Sequence, residues 1–422
     1  MSRLFLTIGL LCIYCCTKES SSPSDSIEED GVVIAESPIW LTPLTESDQD
    51  FIYTDIRNGV VYDKKVLMPQ HRASGESLAM LSAYTGEHLW TWTNSGSNPP
   101  TIYIPSHYTN KDLMVFPGGS GEVHAINLDD GSTADNYVID DAYLSVISGI
   151  GSDYFISSET VFTDRTRAGI VYRGRLGTSN YTALFSPPYR KDTLGLREAY
   201  GTVSQTYPFV SEREGGDTLL TFCYSDPIGN FNNTISSGLY NLTADSFVYT
   251  GRELRQSTRY EARLRMETYQ DKVFVSFDDS IICYHVYDGT VLWEKPFDNS
   301  FTFSGFIVAD GVLLANNEDT YLYGIDPTSG RQLWKEKSSG TSSHMVAHNG
   351  VVYFVGGGDG LLHAVEIATG RHLWKLRSPD EAKNSGAFFM PLVAVVPPES
   401  ETDKALVVVS SYLSAMAFEA AR

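Results

Sequence analysis

Short runs of alternating apolar and polar residues recur along most of the chain, separated by turns rich in Asp, Ser, Thr and Gly. A period of two is typical of β-strands with one buried face. One such strand can be aligned in eight copies, which begin NGVVYDKK at 58, DLMVFPGG at 112, DYFISSET at 153, DTLLTFCYS at 217, DKVFVSFDD at 271, DGVLLANN at 310, NGVVYFVGG at 349 and KALVVVSS at 404. The pattern predicts an all-β protein built from repeats.

A second pattern, Gly-x-x-Leu-Trp, follows the aligned strand in four of the repeats. Its glycines are Gly86, Gly289, Gly330 and Gly370, and its tryptophans are Trp90, Trp293, Trp334 and Trp374. The last three glycines are 41 and 40 residues apart, and a period in the 40s indicates a repeat architecture. We expect each glycine to close a hairpin, and each tryptophan to stabilise packing between neighbouring repeats.

Another apolar strand precedes most of the aligned strands, so each repeat contains four strands. Four antiparallel strands repeated about eight times are typical of a β-propeller. We therefore predict eight blades, with seven as the alternative if one of the irregular units in the middle of the chain is misread.

The two ends of the repeat region are complementary. The last repeat, ALVVVSSYLSAMAFEAA, has no Leu-Trp strand, whereas ESPIWLTPL near the N-terminus has Ile39-Trp40 without a hairpin before it. We predict that the segment around Trp40 is the outer strand of the last blade. It would close the ring and protect the sheet edges.

The middle of the chain departs from the repeat. The third unit ends YTALF and the fourth ends NLTADSFVY, and residues 186–216 between them exceed a normal connection. Long loops tend to be functional or disordered. This segment is the candidate partner-binding surface, through Tyr189, Tyr200, Tyr207 and Phe209. The alternative is that these aromatic side chains pack onto the propeller wall.

The N-terminal sequence MSRLFLTIGLLCIYCC is a secretion signal, too short to span a membrane as a helix. Its cysteines resemble a bacterial lipoprotein processing site, with Ile13 and the small Cys15 preceding Cys16. The alternative is an ordinary signal peptide with incidental cysteines. We predict an acylated Cys16 and outer-membrane anchoring, on the periplasmic or the surface side. The expected division is a signal peptide over 1–15, a flexible tether over 16–30 and a propeller over 31–422.

The formal net charge of −21 disfavours nucleic acid and anionic membrane surfaces as partners, and is compatible with a basic partner. Beyond residue 16 the cysteines are Cys223 and Cys283, both in apolar strands, where free buried thiols are expected. The alternative is a disulfide between them in an oxidising compartment. We expect a monomer.

The repeat resembles that of PQQ-like, or quinoprotein-like, β-propellers. GGDGLLHAVEIATGRHLW matches that repeat almost throughout; the match is strong over 271–376, fair over 58–140 and weak over 141–270. The family includes pyrroloquinoline-quinone (PQQ) dehydrogenases and a non-enzymatic lipoprotein of the outer-membrane β-barrel assembly machinery. The resemblance therefore implies a fold and leaves the function open.

The dehydrogenases of this family hold PQQ with adjacent disulfide-bonded cysteines, a calcium ion and a tryptophan under the quinone. This chain has no adjacent cysteines beyond the processing site, and Trp40, Trp90, Trp293, Trp334 and Trp374 occupy repeat positions, with Trp92 close by. His124 and His363 are also equivalent repeat positions, which favours a structural role. We therefore expect no catalytic site, no PQQ and no calcium.

The leading hypothesis is a lipid-anchored, non-catalytic scaffold that binds a protein partner in the bacterial cell envelope, in its sharper form during outer-membrane protein assembly. The alternatives are a PQQ-dependent dehydrogenase or other propeller enzyme, and a surface carbohydrate-binding module.

Overall fold

The computed structural model covers the repeat region with gaps. It describes residues 33–34, 37–47, 55–56, 59–72, 75–94, 103–104, 106–118, 121–161, 167–187, 202–211, 216–228, 232–257, 265–301, 305–340, 343–400 and 403–422.

Eight four-stranded antiparallel sheets form the blades of a propeller, which confirms the predicted all-β fold and the blade count. We number the blades 1 to 8 along the chain and name their strands A to D. The strands are, for blade 1, Val60–Tyr62, Lys65–Arg72, Gly75–Ser82 and His88–Trp92; for blade 2, Tyr108–Asn110, Leu113–Pro117, Glu122–Asn127 and Thr133–Val138; for blade 3, Ala142–Ile150, Asp153–Val161, Arg167–Arg175 and Tyr181–Phe185; for blade 4, Thr202–Val210, Thr218–Ile228, Asn232–Asn241 and Ser246–Ser257; for blade 5, Arg265–Tyr269, Lys272–Phe277, Ser280–His285 and Val291–Pro296; for blade 6, Phe306–Ala309, Val312–Asn316, Tyr321–Ile325 and Gln332–Lys337; for blade 7, Val346–His348, Val351–Val355, Leu362–Glu366 and His372–Leu376; and for blade 8, Phe389–Val396, Leu406–Ser411, Ser414–Glu419 and Trp40–Pro43.

Blade 8 combines both ends of the repeat region. Its D strand, Trp40–Pro43, pairs antiparallel with Ser414–Glu419, so that Trp40 lies opposite Ala417. The predicted closure by an N-terminal strand is confirmed. Upstream, the short strand Val33–Ile34 adds in parallel to the D strand of blade 7, so the same segment contacts two neighbouring blades.

The A strands of neighbouring blades contact one another and form the inner wall of the ring. The B and C strands are mostly buried between adjacent blades, as apolar clusters that each combine residues of neighbouring sheets. The D strands form the outer rim, where their side chains alternate between exposed and half-buried. A further parallel pair, Asp55–Ile56 with Tyr103–Ile104, precedes the A strands of blades 1 and 2.

The B–C hairpins differ in length around the ring. Strands B and C have 11 and 10 residues in blade 4, against six and six in blade 5. Both B strands begin next to the end of their A strand, so the additional residues lie at the far end of the hairpin. At about 3.3 Å per residue, the five extra positions extend the blade 4 hairpin by roughly 16 Å.

The interpretation of 186–216 as one long loop is wrong for part of its length. Thr202–Val210 is the A strand of blade 4 and pairs with Thr218–Ile228. The strand was hard to recognise because it contains Pro208 and because its register shifts between Val203 and Gln205. Both features interrupt the simple alternation on which the sequence analysis depended.

The described residues include one short 3-10 helix, Pro379–Ala382, capped at its N-terminus by the Ser378 side chain. No helix in the described ranges is long and apolar enough to cross a bilayer.

Candidate functional site

Four tryptophans of the D strands contact the turn glycines of the next blade. The four pairs are Trp40 with Gly86, Trp90 with Gly131, Trp293 with Gly330 and Trp334 with Gly370. Each indole N–H donates a hydrogen bond to a backbone carbonyl of that same next blade, from 2.9 Å for Trp334 to Ile367 to 3.3 Å for Trp90 to Leu128. We call this pairing the Trp–Gly junction.

Two independent constraints require glycine in these turns. Gly330 and Gly370 have φ of 72° and 79°, in the left-handed region that disfavours other residues. In addition, a Cβ atom on Gly330 would lie 2.8 Å from the Trp293 ring, and one on Gly370 would lie 2.6 Å from the Trp334 ring. In each Gly-x-x-Leu-Trp repeat the glycine turn therefore contacts the indole of the preceding blade, and the tryptophan of the same repeat contacts the glycine turn of the following blade.

Two of the predicted repeat residues have other neighbours. The Gly289 turn faces Tyr249 and Arg252 of blade 4, and the Tyr249 hydroxyl donates to the Val286 carbonyl at 3.0 Å. Trp374 is buried beside Tyr353, with ring centroids 5.7 Å apart, in the apolar cluster between blades 7 and 8.

The junction between blades 2 and 3 is built from tyrosines. Tyr137 stacks on Tyr181 at 5.1 Å, and its hydroxyl is hydrogen-bonded to that of Tyr154. The C–D turn of blade 3 contains Gly177, which has φ of 74°, but a Cβ atom there would meet nothing within 4 Å. This junction thus has a glycine turn, but no indole packs on the glycine as in the Trp–Gly junctions.

The tryptophans and cysteines of the described ranges all lie in packing contacts. Four indoles face turn glycines, Trp92 packs on Phe116 and His124, and Trp374 is buried between blades. No group of three or more His, Cys, Asp or Glu side chains in the described ranges is arranged to hold a metal ion. Cys223 and Cys283 are buried free thiols, and burial raises the pKa of each to about 12.

The two repeat histidines are buried in blades 2 and 7. His124 Nε2 lies 3.3 Å from a Glu122 carboxylate oxygen. His363 is hydrogen-bonded to Asp359 at 3.1 Å and to His372 at 3.1 Å. Burial, with His363 beside it, lowers the pKa of His372 to about 3, so this histidine is neutral over the physiological range.

The predicted partner-binding residues are not all placed by the structure. Cys16, Tyr189 and Tyr200 lie outside the described residues. Tyr207, in the A strand of blade 4, is 40% exposed and lies on the inner wall. Phe209 packs against Tyr287, with ring centroids 6.2 Å apart, in the cluster between blades 4 and 5. Phe209 therefore follows the alternative interpretation, as a side chain packed on the propeller wall.

The inner wall near Tyr207 contains polar residues that the sequence analysis did not select. Arg265 and Glu267 lie in the A strand of blade 5 and alternate there with Met266, which packs toward blade 4. Arg265 Nη1 donates to His344 Nε2, just before blade 7, at 3.4 Å. Its path crosses Gly305, where a Cβ atom would lie 3.5 Å from Nη1. Tyr143, 60% exposed, lies in the A strand of blade 3. We call Tyr143, Tyr207, Arg265, Glu267 and His344 the polar inner wall.

Glu267 is half-buried and lies opposite Phe274 of the neighbouring strand. Among the described residues no hydrogen bond or ion pair reaches its carboxylate, and burial raises its pKa to about 7. An alignment of A strands would have revealed it, because blades 6 and 7 have Ile307 and Val346 at the corresponding pairing position. An acid at a position that is apolar in the two following blades departs from the repeat.

Comparison with known proteins identifies the repeat. A family model described as "Outer membrane protein assembly factor BamB" matches residues 20–183 and 250–421, which is most of the chain. The chain itself matches no curated protein sequence.

Solved structures share the architecture at low sequence identity. BamB from Moraxella catarrhalis is 14% identical over 75% of this chain and 85% of its own, with a TM-score of 0.51. Sqt1 from Saccharomyces cerevisiae is 11% identical over 90% and 98%, with a TM-score of 0.59. A europium-containing methanol dehydrogenase is 9% identical over 90% and 88%, with a TM-score of 0.57. At these identities the likeness establishes the fold alone.

Proposed function

Because the chain belongs to the family of outer membrane protein assembly factor BamB, we propose that it is a non-catalytic, protein-binding scaffold of the bacterial cell envelope. In its finer form, the proposal is a propeller anchored to the outer membrane through an acylated Cys16 and acting in outer-membrane protein assembly. The observation that carries it is the family match, which covers residues on both sides of the irregular blade 4.

The use of the tryptophans supports a binding role over quinone chemistry. Four of them pack their rings on turn glycines and donate their indole N–H to a backbone carbonyl of the next blade, and Trp374 is buried between two blades. A PQQ dehydrogenase needs one of these side chains, or a similar ring, as a platform under the cofactor. Dye-linked alcohol or sugar oxidation by the pure protein with added PQQ and calcium would overturn the non-catalytic assignment.

The surface we propose for partner binding is the polar inner wall, together with the extended B–C hairpins of blades 3 and 4, whose B strands have nine and 11 residues. Exposed tyrosines on a rigid frame are frequent anchors at protein interfaces. Tyr207 and Tyr143 provide two such side chains on neighbouring A strands. The extended hairpins make this part of the ring unlike blades 5 to 7, which suits recognition of one partner in one orientation.

Site-specific photocrosslinking in intact cells tests the proposal. A photoreactive amino acid at Tyr207 is expected to capture a component of the outer-membrane assembly machinery, identified by mass spectrometry. The matched control places it at Leu333, which is exposed on the outer rim of blade 6. Equal capture from both positions, or none from Tyr207, would contradict the proposed surface.

The anchor is tested separately. Replacing the acylated thiol by Cys16→Ala is expected to move the protein from the membrane fraction to the soluble envelope fraction. Unchanged fractionation of this variant would argue against lipid attachment at Cys16.

A further inference from the structure

Four titratable side chains lie in a row on the face of blade 7 that packs against blade 6. His363 Nε2 is hydrogen-bonded to both carboxylate oxygens of Asp359, at 3.1 and 3.2 Å, and His363 Nδ1 lies 3.1 Å from His372 Nε2. His372 Nδ1 in turn lies 3.5 Å from Glu336 Oε1, on the D strand of blade 6. The imidazoles are 0% and 5% exposed, whereas the two carboxylates reach solvent. The contact between the imidazoles joins the C strand of blade 7 to its D strand, and we call it the histidine latch.

The repeat does not require a second histidine at this place. The counterpart of His363 in blade 2 is His124. The counterparts of His372, at the second position after the turn glycine, are Thr133 in blade 2 and Gln332 in blade 6. The Thr133 hydroxyl accepts from an indole N–H of blade 1 at 3.0 Å, so that interface closes without a pair of imidazoles. The latch is therefore an addition to the repeat pattern.

A hydrogen bond between two imidazoles limits the charge that the pair can carry. One of the facing nitrogens must donate its hydrogen, and the other must accept with a free lone pair. The pair can thus hold one positive charge, on either ring, but a second proton would set two N–H groups against each other across 3.1 Å. Burial, with His363 beside it, also lowers the pKa of His372 to about 3.

The surrounding groups offset only part of a second positive charge. Lys375, on the same D strand, adds to the repulsion, and the neighbour from the B strand is the apolar ring of Phe354. Asp359 balances the first charge that the latch can carry. Glu336 faces the latch from blade 6, but its side chain is 34% exposed, so solvent screens the attraction. On the other side of the D strand, Val33–Ile34 contains no titratable residue.

We propose that the histidine latch is an acid-sensitive switch, which fixes the D strand of blade 7 while the pair carries at most one charge and releases it when both imidazoles are protonated. In the released strand both histidines regain the ordinary pKa of about 6.5. The released form then binds more protons than the latched form at pH values below about 6.5, so the latch weakens as pH falls.

Release of this strand also reaches the N-terminal segment. Val33 and Ile34 pair in parallel with Lys375 and Leu376 of the same D strand, a few residues before the strand that completes blade 8. The switch therefore couples acid to the attachment of the segment that leads to the N-terminus. It does not depend on the partner surface proposed above, which lies on other blades.

The test uses the full chain and His372→Gln, whose amide can hydrogen-bond to His363 but takes up no proton. Unfolding equilibrium constants are measured by urea denaturation at pH 7 and pH 5. The constant of the parent should rise about 20-fold relative to that of His372→Gln between these pH values, because the contributions of the other titratable groups cancel in the ratio. His88→Gln removes an exposed histidine from the D strand of blade 1 and is the matched control, which should follow the parent.

Amide hydrogen exchange at the same two pH values locates the change, with exchange times scaled for the intrinsic pH dependence. In the parent at pH 5, the C and D strands of blade 7 should lose protection before those of blade 6, Tyr321–Ile325 and Gln332–Lys337. This comparison needs no variant, so it also applies if His372→Gln does not fold. An equal pH dependence of parent and His372→Gln, or an equal loss of protection in blades 6 and 7, would overturn the switch.

Discussion

Blades 5 to 7 and blades 2 to 4 solve the same packing problem with different side chains. Between blades 5 and 7 each junction joins an indole to a glycine turn and adds one N–H hydrogen bond to a backbone carbonyl. Between blades 2 and 5, tyrosine and phenylalanine clusters replace the indole, as with Tyr137 on Tyr181 and Phe185 on Tyr240. Each of these junctions contains a large aromatic side chain. That side chain is Trp where a ring packs directly on a turn glycine, and Tyr or Phe at the junctions between blades 2 and 4.

Removal of the closing indole should have the largest effect. Trp40 is 8% exposed and its N–H donates to the Ala83 carbonyl at 3.0 Å. Trp40→Ala should lower the free energy of unfolding by about 3 to 5 kcal/mol, because it leaves a cavity at the one junction that joins the two ends of the ring. Urea unfolding followed by circular dichroism measures this change. Its neighbour Ile39 is 50% exposed, and Ile39→Ala should change stability by about 0.5 kcal/mol. Equal losses for both variants would refute the closure role of the indole.

A glycine substitution separates the two types of junction. Gly330 and Gly177 have nearly the same φ, 72° and 74°, but only Gly330 lies under an indole. Gly177→Ala should cost about 1 kcal/mol from the left-handed backbone, whereas Gly330→Ala should cost about 2 to 4 kcal/mol because the methyl group also overlaps Trp293. Thermal unfolding midpoints compare the two variants. If both lose the same amount, the indole contact adds nothing to the requirement for glycine.

The inner wall should show the pH dependence of a half-buried carboxyl. Burial raises the pKa of Glu267 to about 7 from an ordinary value of 4.5, so the folded protein binds a proton between these values that the unfolded chain does not. Stability therefore falls as pH rises from 4.5 to 7, by at most about 3 kcal/mol. Glu267→Gln should remove this dependence and be more stable than the parent at pH 8, with similar stability at pH 5. Parallel curves for the two proteins across this range would contradict the assignment.

The smallest expected effect comes from removing the hydrogen-bond donor of an aromatic side chain at a junction. Tyr249→Phe removes the hydrogen bond to the Val286 carbonyl, and Trp293→Phe removes the one to the Pro327 carbonyl, at 3.0 and 3.2 Å. The Tyr249→Phe change should cost about 1 kcal/mol, since it leaves one carbonyl without its donor and changes little volume. Trp293→Phe should cost more, because it also removes part of the ring over Gly330. Chemical denaturation ranks them, and a larger loss at Tyr249 would reverse the comparison.

The regular blades could be predicted from sequence because each constraint is local. The glycine turn, the alternation of the C strand and the Trp of the D strand lie within a dozen residues, and blade 8 was completed by matching a missing strand to an unpaired one. What the sequence did not reveal is that Trp293 packs on Gly330 of the following blade, since this contact depends on the angle between sheets.

The candidate site was harder to predict than the fold. Tyr207 was selected for its position in an irregular segment, but the segment contains the A strand of blade 4, which Pro208 and a register shift concealed. Glu267 was missed because a single acid in an apolar strand stands out only when the A strands are aligned. No pattern along the chain specifies that Arg265 extends to His344.

The pairing of Trp40–Pro43 with Ser414–Glu419 also sets an order of events during synthesis. The Trp40 strand leaves the ribosome about 370 residues before the strand with which it pairs. A chain interrupted before blade 8 would expose the unpaired Trp40 strand and the apolar face of blade 1 that packs on blade 8. Only the full-length chain can therefore close the ring. Incomplete chains differ from it by an exposed, unpaired strand.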